Sequence, residues 1–260
     1  MWDAIIITPF VNVLLFIYTT FGHNFGIAII LFTILIRLIT QPLTAQQLKG
    51  TQAMQNLQKD KRWLDMQKKY KDDKEKLAQE QMKLYKELGI NPLGSCLPTL
   101  IQFPIIIGLY QSIIAAMAAS PVELLNLTKH VYPGFINISS LIPLNKYFLW
   151  LNLSKPDLIN IPGLPIGLPI LAIIVVATTY LQSKLMTPPS TNPNDQGAAM
   201  GKAMNLYMPI FMGYLALTLA SGLALYFVVS NVIGVIQYAA MGKVDFRNLL
   251  PGGKKLPERK

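Results

Sequence analysis

The sequence predicts an all-α membrane protein: five core transmembrane helices around a hydrophilic groove, with an outer interfacial N-terminal helix and a cytoplasmic helical hairpin. Three observations predict it. The chain is 52% hydrophobic and only 14% charged, with a mean hydropathy of +0.39, and so few charges would not cover the surface of a water-soluble fold. Its apolar runs are separated by connections whose basic residues alternate between rich and poor. Finally, one arginine, Arg37, sits inside an apolar run, Phe25 to Leu48, that carries no other charge.

Residues 1–24 are apolar but broken by Pro9 and Asn12. They read as a helix lying at the outer interface, with Trp2 and Tyr18 at headgroup level. This segment lacks a basic n-region, a small-residue cleavage site, an early cysteine for lipid attachment and an Arg- and Ser-rich transit pattern, which predicts a multi-pass protein of the bacterial plasma (inner) membrane. Residues 25–44 form the first span, since about 20 apolar residues cross a bilayer. Residues 45–92 are highly charged, yet Leu77, Gln81, Leu84 and Leu88 keep helical spacing and Leu57 and Leu64 lie one heptad apart. Two antiparallel helices with a turn at Lys71-Asp72-Asp73 follow, forming a projecting cytoplasmic hairpin. From charge patterning alone, a solvated face without a partner explains the hairpin equally well. The second span covers 93–118 and is loosened by Pro98 and Pro104. Residues 119–163 are a proline-punctuated outer loop, partly apolar, expected to rest on the outer leaflet. The third span covers 164–185, and 186–205 is a cytoplasmic loop. Residues 206–241 hold a short fourth span, a tight turn at Ser221-Gly222 and a fifth span. Residues 242–260 are a basic cytoplasmic tail, expected to be disordered.

Orientation follows from lysine and arginine. Eleven lie between 45 and 92, Lys184 and Lys202 near the third-to-fourth connection, and six in the tail, against only Lys129, Lys146 and Lys155 on the opposite side. The positive-inside rule places the N-terminus outside and the C-terminus in the cytoplasm.

An arginine near the middle of a spanning helix costs roughly 2.5–3.5 kcal/mol on insertion scales. Two readings of Arg37 stay open on the sequence. It snorkels to the cytoplasmic surface, about six residues or roughly 9 Å away, or it faces a wet cavity between spans. Thr33, Arg37, Thr40, Gln41 and Thr44 form one polar stripe. Other spans carry polar stripes of their own: Gln102 and Tyr110 in the second; Thr178 and Gln182 in the third; Tyr214 in the fourth; Tyr226, Ser230, Gly234 and Gln237 in the fifth, with Asn231 beside Ser230. Such residues often only bind helices together. Several stripes and one cation are better explained by a shared hydrated groove.

Enzyme chemistry finds no support. Cys96 is the one cysteine, His23 and His130 are far apart, and no acidic residue lies in a span. No HExxH, GxSxG or Walker-type motif occurs. Neither a cofactor, a metal nor a direct nucleic-acid role is expected. A lone cation in a polar groove is a binding surface, not a reaction centre.

Four stretches carry a family resemblance. They are Asn24-Phe25-Gly26-Ile27-Ala28-Ile29-Ile30 leading to Ile36-Arg37; Met54-Gln55-Asn56-Leu57-Gln58 with Tyr70, Asp73 and Leu84-Tyr85; Asn91-Pro92-Leu93-Gly94-Ser95-Cys96-Leu97-Pro98 with Gln102 and Pro104; and Gly222-Leu223-Ala224-Leu225-Tyr226-Phe227 with Ser230-Asn231 and Gln237. In this order and over nearly the whole chain, they resemble the YidC/Oxa family of membrane-protein insertases. Phe227 stands where many members carry tryptophan. The chain is expected to lack the large periplasmic domain of some members. The resemblance implies a groove open to cytoplasm and lipid but closed outside, with Arg37 as its arginine and Gln182 as the polar position of its third span.

The resulting expectation is an insertase and chaperone for newly made membrane proteins, not an enzyme. Its expected partners are nascent membrane proteins, the ribosome and signal-recognition targeting machinery, the Sec translocon and membrane lipids. A small transporter or channel binding an anion at Arg37, or a scaffold that only assembles other membrane proteins, are the alternatives.

The charge bias predicts topology directly. In intact cells carrying His130→Cys or Lys255→Cys, an impermeant thiol reagent added outside should modify position 130 alone. Modification of both positions, or of 255 alone, would overturn the orientation.

Overall fold

A computed structural model describes residues 1–70, 73–89, 97–117, 121–138, 141, 143–158, 167–186 and 196–241. The expected Lys71-Asp72 turn, the Asn91–Cys96 motif, residues 187–195 of the cytoplasmic loop and the tail from 242 lie outside the described residues. A π-helical turn, Asp3–Ile7, leads into α1 (Thr8–Thr20). Helix α2 (Phe25–Ile39) follows, opened by Asn24, whose side chain accepts the Ile27 N–H at 3.2 Å. The apolar run then breaks. Pro42 is placed within the first two positions of α3 (Gln41–Lys59). There its missing N–H costs nothing, whereas its ring would clash inside a continuous helix.

The charged segment forms three helices rather than two: α3, α4 (Lys61–Lys69) and α5 (Lys74–Glu87). The extra break falls at Asp60, which is extended and caps α4 by accepting the Arg62 N–H at 2.8 Å. The Arg62 side chain also hydrogen-bonds Asp60, and this holds the Asp60 carboxyl below the usual carboxylate range. Leu57, Trp63 and Leu84 are buried together, one from each helix, with the Trp63 and Tyr85 rings 5.7 Å apart.

Beyond the hairpin come α6 (Leu97–Ala116), with Pro104 inside it, and α7 (Pro121–Lys129). A two-stranded antiparallel ribbon follows, β1 (Tyr147–Phe148) and β2 (Leu151–Asn152), with Phe148 opposite Leu151. Then come α8 (Ile170–Met186), α9 (Gln196–Thr218) and α10 (Ser221–Ala240). Ser221 and Gly222 are therefore the first residues of α10 and not the turn before it. Their N–H groups, orphaned as at any helix start, donate to Lys155 O at 2.8 Å and Leu153 O at 3.0 Å.

The core gathers Val11, Leu14 and Leu15 of α1, Phe25, Ile29 and Phe32 of α2, Leu109 and Ile113 of α6, and Leu223 and Tyr226 of α10, all nearly fully buried. So α1 buries one face in the bundle. Close helix approach relies on small residues, as it does where no hydrophobic gain separates protein from lipid. A Cβ at Gly213 would collide with Val176 of α8, and one at Gly222 would stand 3.2 Å from both Ile113 and Ile29 side chains.

The connection after α7 is tied down at several points. Buried Asn12 donates to His130 O at 2.8 Å and accepts the Tyr132 N–H at 3.0 Å. The Tyr18 hydroxyl accepts the Asn145 N–H at 2.9 Å.

Two stretches, Asp3–Thr20 and Ser221–Ala240, reach 18 residues of spanning hydropathy, while Phe25–Ile39, Gln102–Ala116, Ile170–Leu185 and Leu206–Thr218 are shorter apolar helices.

Candidate functional site

Arg37 lies in the last turn of α2, where a cation complements the helix dipole. The turn's carbonyls need partners. Thr40 Oγ1 donates to Ile36 O at 2.8 Å, and Gln237 Nε2 of α10 donates to Arg37 O at 3.2 Å. The main chain at Arg37 is thus tied to α10.

The guanidinium is tied to the same helix. Arg37 Nε and Nη2 both donate to Ser230 Oγ, at 2.9 and 2.6 Å. Ser230 follows Tyr226 by one helical turn, so the two hydroxyls stand on one face of α10 and interact. The Tyr226 hydroxyl in turn accepts from Gln102 Nε2 of α6 at 2.5 Å. Tyr226 and Ser230 are 2% and 4% exposed, so their polar atoms are satisfied within the protein, as burial demands.

A second arm reaches α8. Gly234 follows Ser230 by one more turn. A Cβ there would meet Gln182 Nε2 at 2.5 Å and Arg37 Nη2 at 3.6 Å. The absent side chain lets Gln182 and Arg37 converge on α10. Asn231 Nδ2 donates to Thr178 Oγ1 at 3.1 Å and Thr179 Oγ1 at 2.9 Å, linking α10 to α8 again.

Arg37, Gln102, Gln182, Tyr226, Ser230 and Gln237 thus come together, with Thr178 and Asn231 alongside. Four expected site residues do not join them. Thr33 is buried, but its hydroxyl turns back to Ile29 O of its own helix at 2.6 Å. Gln41 opens α3 and is exposed, because the helix break at Thr40 takes it off the α2 stripe. Tyr110 packs against the apolar core two turns beyond Gln102. Tyr214 is 60% exposed. The structure adds Thr179 and Gly234. Both had a signal in the sequence, Thr179 as neighbour to Thr178 and Gly234 as a member of the fifth-span stripe.

The electrostatics are one-sided. α2, α6, α8, α9 and α10 contain no aspartate or glutamate. Arg62–Asp60 and Lys83–Glu80 are ion pairs, both within the α3–α5 segment, and none among the described residues involves Arg37. Arg37 is a half-buried cation held by the neutral Ser230 hydroxyl, in surroundings where a charge interacts far more strongly than in water. No group of three or more potential metal ligands occurs among the described residues. The arrangement offers a fixed positive charge ringed by hydroxyls and amides. It can bind and partly solvate a polar or anionic group.

The profile of the family described as 60Kd inner membrane protein matches residues 16–247. The chain is 34% identical over 239 residues to membrane protein insertase YidC 1 of Halalkalibacterium halodurans, covering 91% of this chain and 77% of that one. It is 36% identical to membrane protein insertase YidC 2 of Listeria innocua, over 91% of this chain and 70% of the relative. Membrane protein insertase MisCA of Bacillus subtilis is 34% identical over 98% of this chain and 85% of its own. Among solved structures, a crystal structure described as an active YidC insertase with its first transmembrane domain resolved superposes with a TM-score of 0.54 at 26% identity. That match covers 88% of this chain and 45% of the other, so this chain spans about half the length of that protein.

The double donation to Ser230 predicts a stability effect. Ser230→Ala leaves the Arg37 fork without its acceptor and should destabilise the detergent-solubilised protein by about 1–3 kcal/mol, the cost of stranding a partly buried charged donor. Thermal unfolding reads it, and an unchanged midpoint would show that Arg37 finds an equal partner elsewhere.

Proposed function

The chain belongs to the 60Kd inner membrane protein family, the YidC/Oxa group of membrane protein insertases, and we propose that it inserts newly made membrane proteins through a hydrated groove centred on Arg37. The observation that carries this reading is the Arg37–Ser230 pair: a cation held between α2 and α10 with no carboxylate in any core helix.

The physical task is to carry a polar or acidic tail across hydrocarbon. Burying such groups without partners costs several kcal/mol each. A tail entering beside Arg37 meets a positive charge, the hydroxyls of Ser230 and Tyr226 and the amides of Gln102 and Gln182. Partial solvation there lowers the barrier, and the attached apolar segment then moves sideways into lipid. The 15-residue α2 is about 22 Å long, shorter than the ~30 Å hydrocarbon core of an ordinary bilayer. Helices this short favour local thinning of the bilayer, which shortens the remaining path. No bond is made or broken in the protein, so insertion is driven by the client's own transfer into lipid.

In the same reading, residues 1–24 lie outside, α2, α6, α8, α9 and α10 span, and the α3–α5 hairpin and tail are cytoplasmic. The hairpin receives clients delivered by the ribosome or the signal-recognition machinery. The Sec translocon is a further partner for larger clients.

Purified protein in liposomes tests the proposal against a small client with an acidic tail. Arg37→Ala should slow its insertion by about tenfold, the equivalent of ~1.4 kcal/mol in the barrier. Arg37→Lys should retain most of the rate, because a point charge remains. Clients with neutral tails should be little affected by either change. Equal insertion of every client by Arg37→Glu would show that the charge is irrelevant. Movement of a small anion without insertion would point to a channel instead.

A further inference from the structure

The β-ribbon breaks a rule of local sequence. Phe148 pairs with Leu151, so Leu149 and Trp150 form a two-residue turn. Turns of this length need positive φ at their first central residue or at both, and they strongly favour glycine or asparagine there. Here Leu149 has φ 55°, a conformation that strains a side chain with a γ-branch. The strain exposes apolar surface instead of hiding it. Leu149 is 74% exposed, Tyr147 58% and Trp150 54%.

The opposite side of the ribbon is fixed in the bundle. Phe148 packs directly on Gly26 of α2, where any Cβ would collide with its ring. Leu151 and Leu153 are 2% and 0% exposed. The Leu153 and Lys155 carbonyls accept the first N–H groups of α10. Asn145, on the other flank, donates to Tyr18 of α1. The turn is thus held rigidly at the N-terminal ends of α2 and α10, the ends remote from Arg37. In a membrane protein those helix ends mark the headgroup level of one leaflet. Lys146 and Lys155 flank the ribbon and suit lipid phosphates there. Tryptophan and tyrosine are enriched at this depth because their rings are apolar and their N–H and O–H groups stay wet. A protein partner fits less well, because a two-residue tip presents far less than the roughly 800 Å² per side of a stable interface.

We propose that Tyr147, Leu149 and Trp150 form a lipid anchor, seated in the headgroup–acyl boundary of the leaflet at the N-terminal ends of α2 and α10, which holds the 143–158 segment across that end of the bundle. The anchor rests on the membrane embedding of the helices and not on the role of Arg37. It accounts for both rule-breaking features at once. Lipid removes the apolar turn residues from water, and the fixed backbone aims them at it.

The test uses the full chain in phosphatidylglycerol–phosphatidylcholine liposomes. Trp2→Phe with Trp63→Phe leaves Trp150 as the sole tryptophan. Its emission should be blue-shifted, protected from aqueous iodide, and more than halved by lipids brominated near the upper acyl chain. Bromine near the chain end should quench less. Full quenching by iodide with none by brominated lipid would overturn the proposal. If that double variant fails to fold, Leu149→Cys in a Cys96→Ser background, carrying an environment-sensitive label, gives the same answer. A label reporting water in both liposomes and detergent would overturn the anchor as well. Client insertion is measured in parallel, so that loss of the anchor is distinguishable from loss of the insertase activity.

Discussion

The contact between Arg37 and Ser230 is the constraint around which the core is arranged. A guanidinium at the end of an apolar helix, with no carboxylate paired to it among the described residues, must find neutral acceptors or face water. Ser230 supplies the acceptor for two of its N–H groups. Ser230 is in turn backed by Tyr226, which takes the Gln102 amide. Gly234 leaves room for Gln182. Gln237 clamps the Arg37 carbonyl, which is free because α2 ends at Ile39. These features draw side chains of four helices, α2, α6, α8 and α10, together around one cation. Among the described residues no carboxylate pairs with Arg37, and a cation held only by neutral groups remains able to attract an anion.

The two ends of the bundle are built by different means. At the N-terminal ends of α2 and α10, backbone carbonyls of the 153–155 segment cap α10 and Phe148 fills the space over Gly26. Asn12 and Tyr18 fasten the same connection to α1. Apolar packing and backbone hydrogen bonds close that end. Towards the other end, hydroxyls, amides and one guanidinium meet around Arg37. This asymmetry fits the proposed entry of a polar chain from one side only.

Much of this was legible in the sequence, because apolar runs and helical stripes are local signals. The cluster of Gln102, Gln182, Ser230 and Gln237 follows from polar residues placed in spans, each of which needs a partner. Tyr214 and Tyr110 carried the same signal, yet they face outward and into the apolar core respectively. Helical periodicity gives the face a residue is on, but not which neighbour that face meets. Gln41 left the stripe because Pro42 ends α2 one turn early. The Asp60 break was marked by a capping aspartate that the heptad pattern concealed. The fastening of the connection after α7 was not legible at all. Asn12 reads as a helix blemish until its partners 118 and 120 residues away are known. Contacts of that separation leave no periodic trace.

The central claim is that a client's polar tail passes beside Arg37. Site-specific photo-crosslinking during insertion tests it most directly. A photoreactive residue at position 182 or 102, compared with one at exposed Ile236 on another face of α10, should capture the acidic tail of a stalled client at the first two positions and not the third. Crosslinks at 236 with none at 102 or 182 would contradict the account and place the client's path outside the polar cluster.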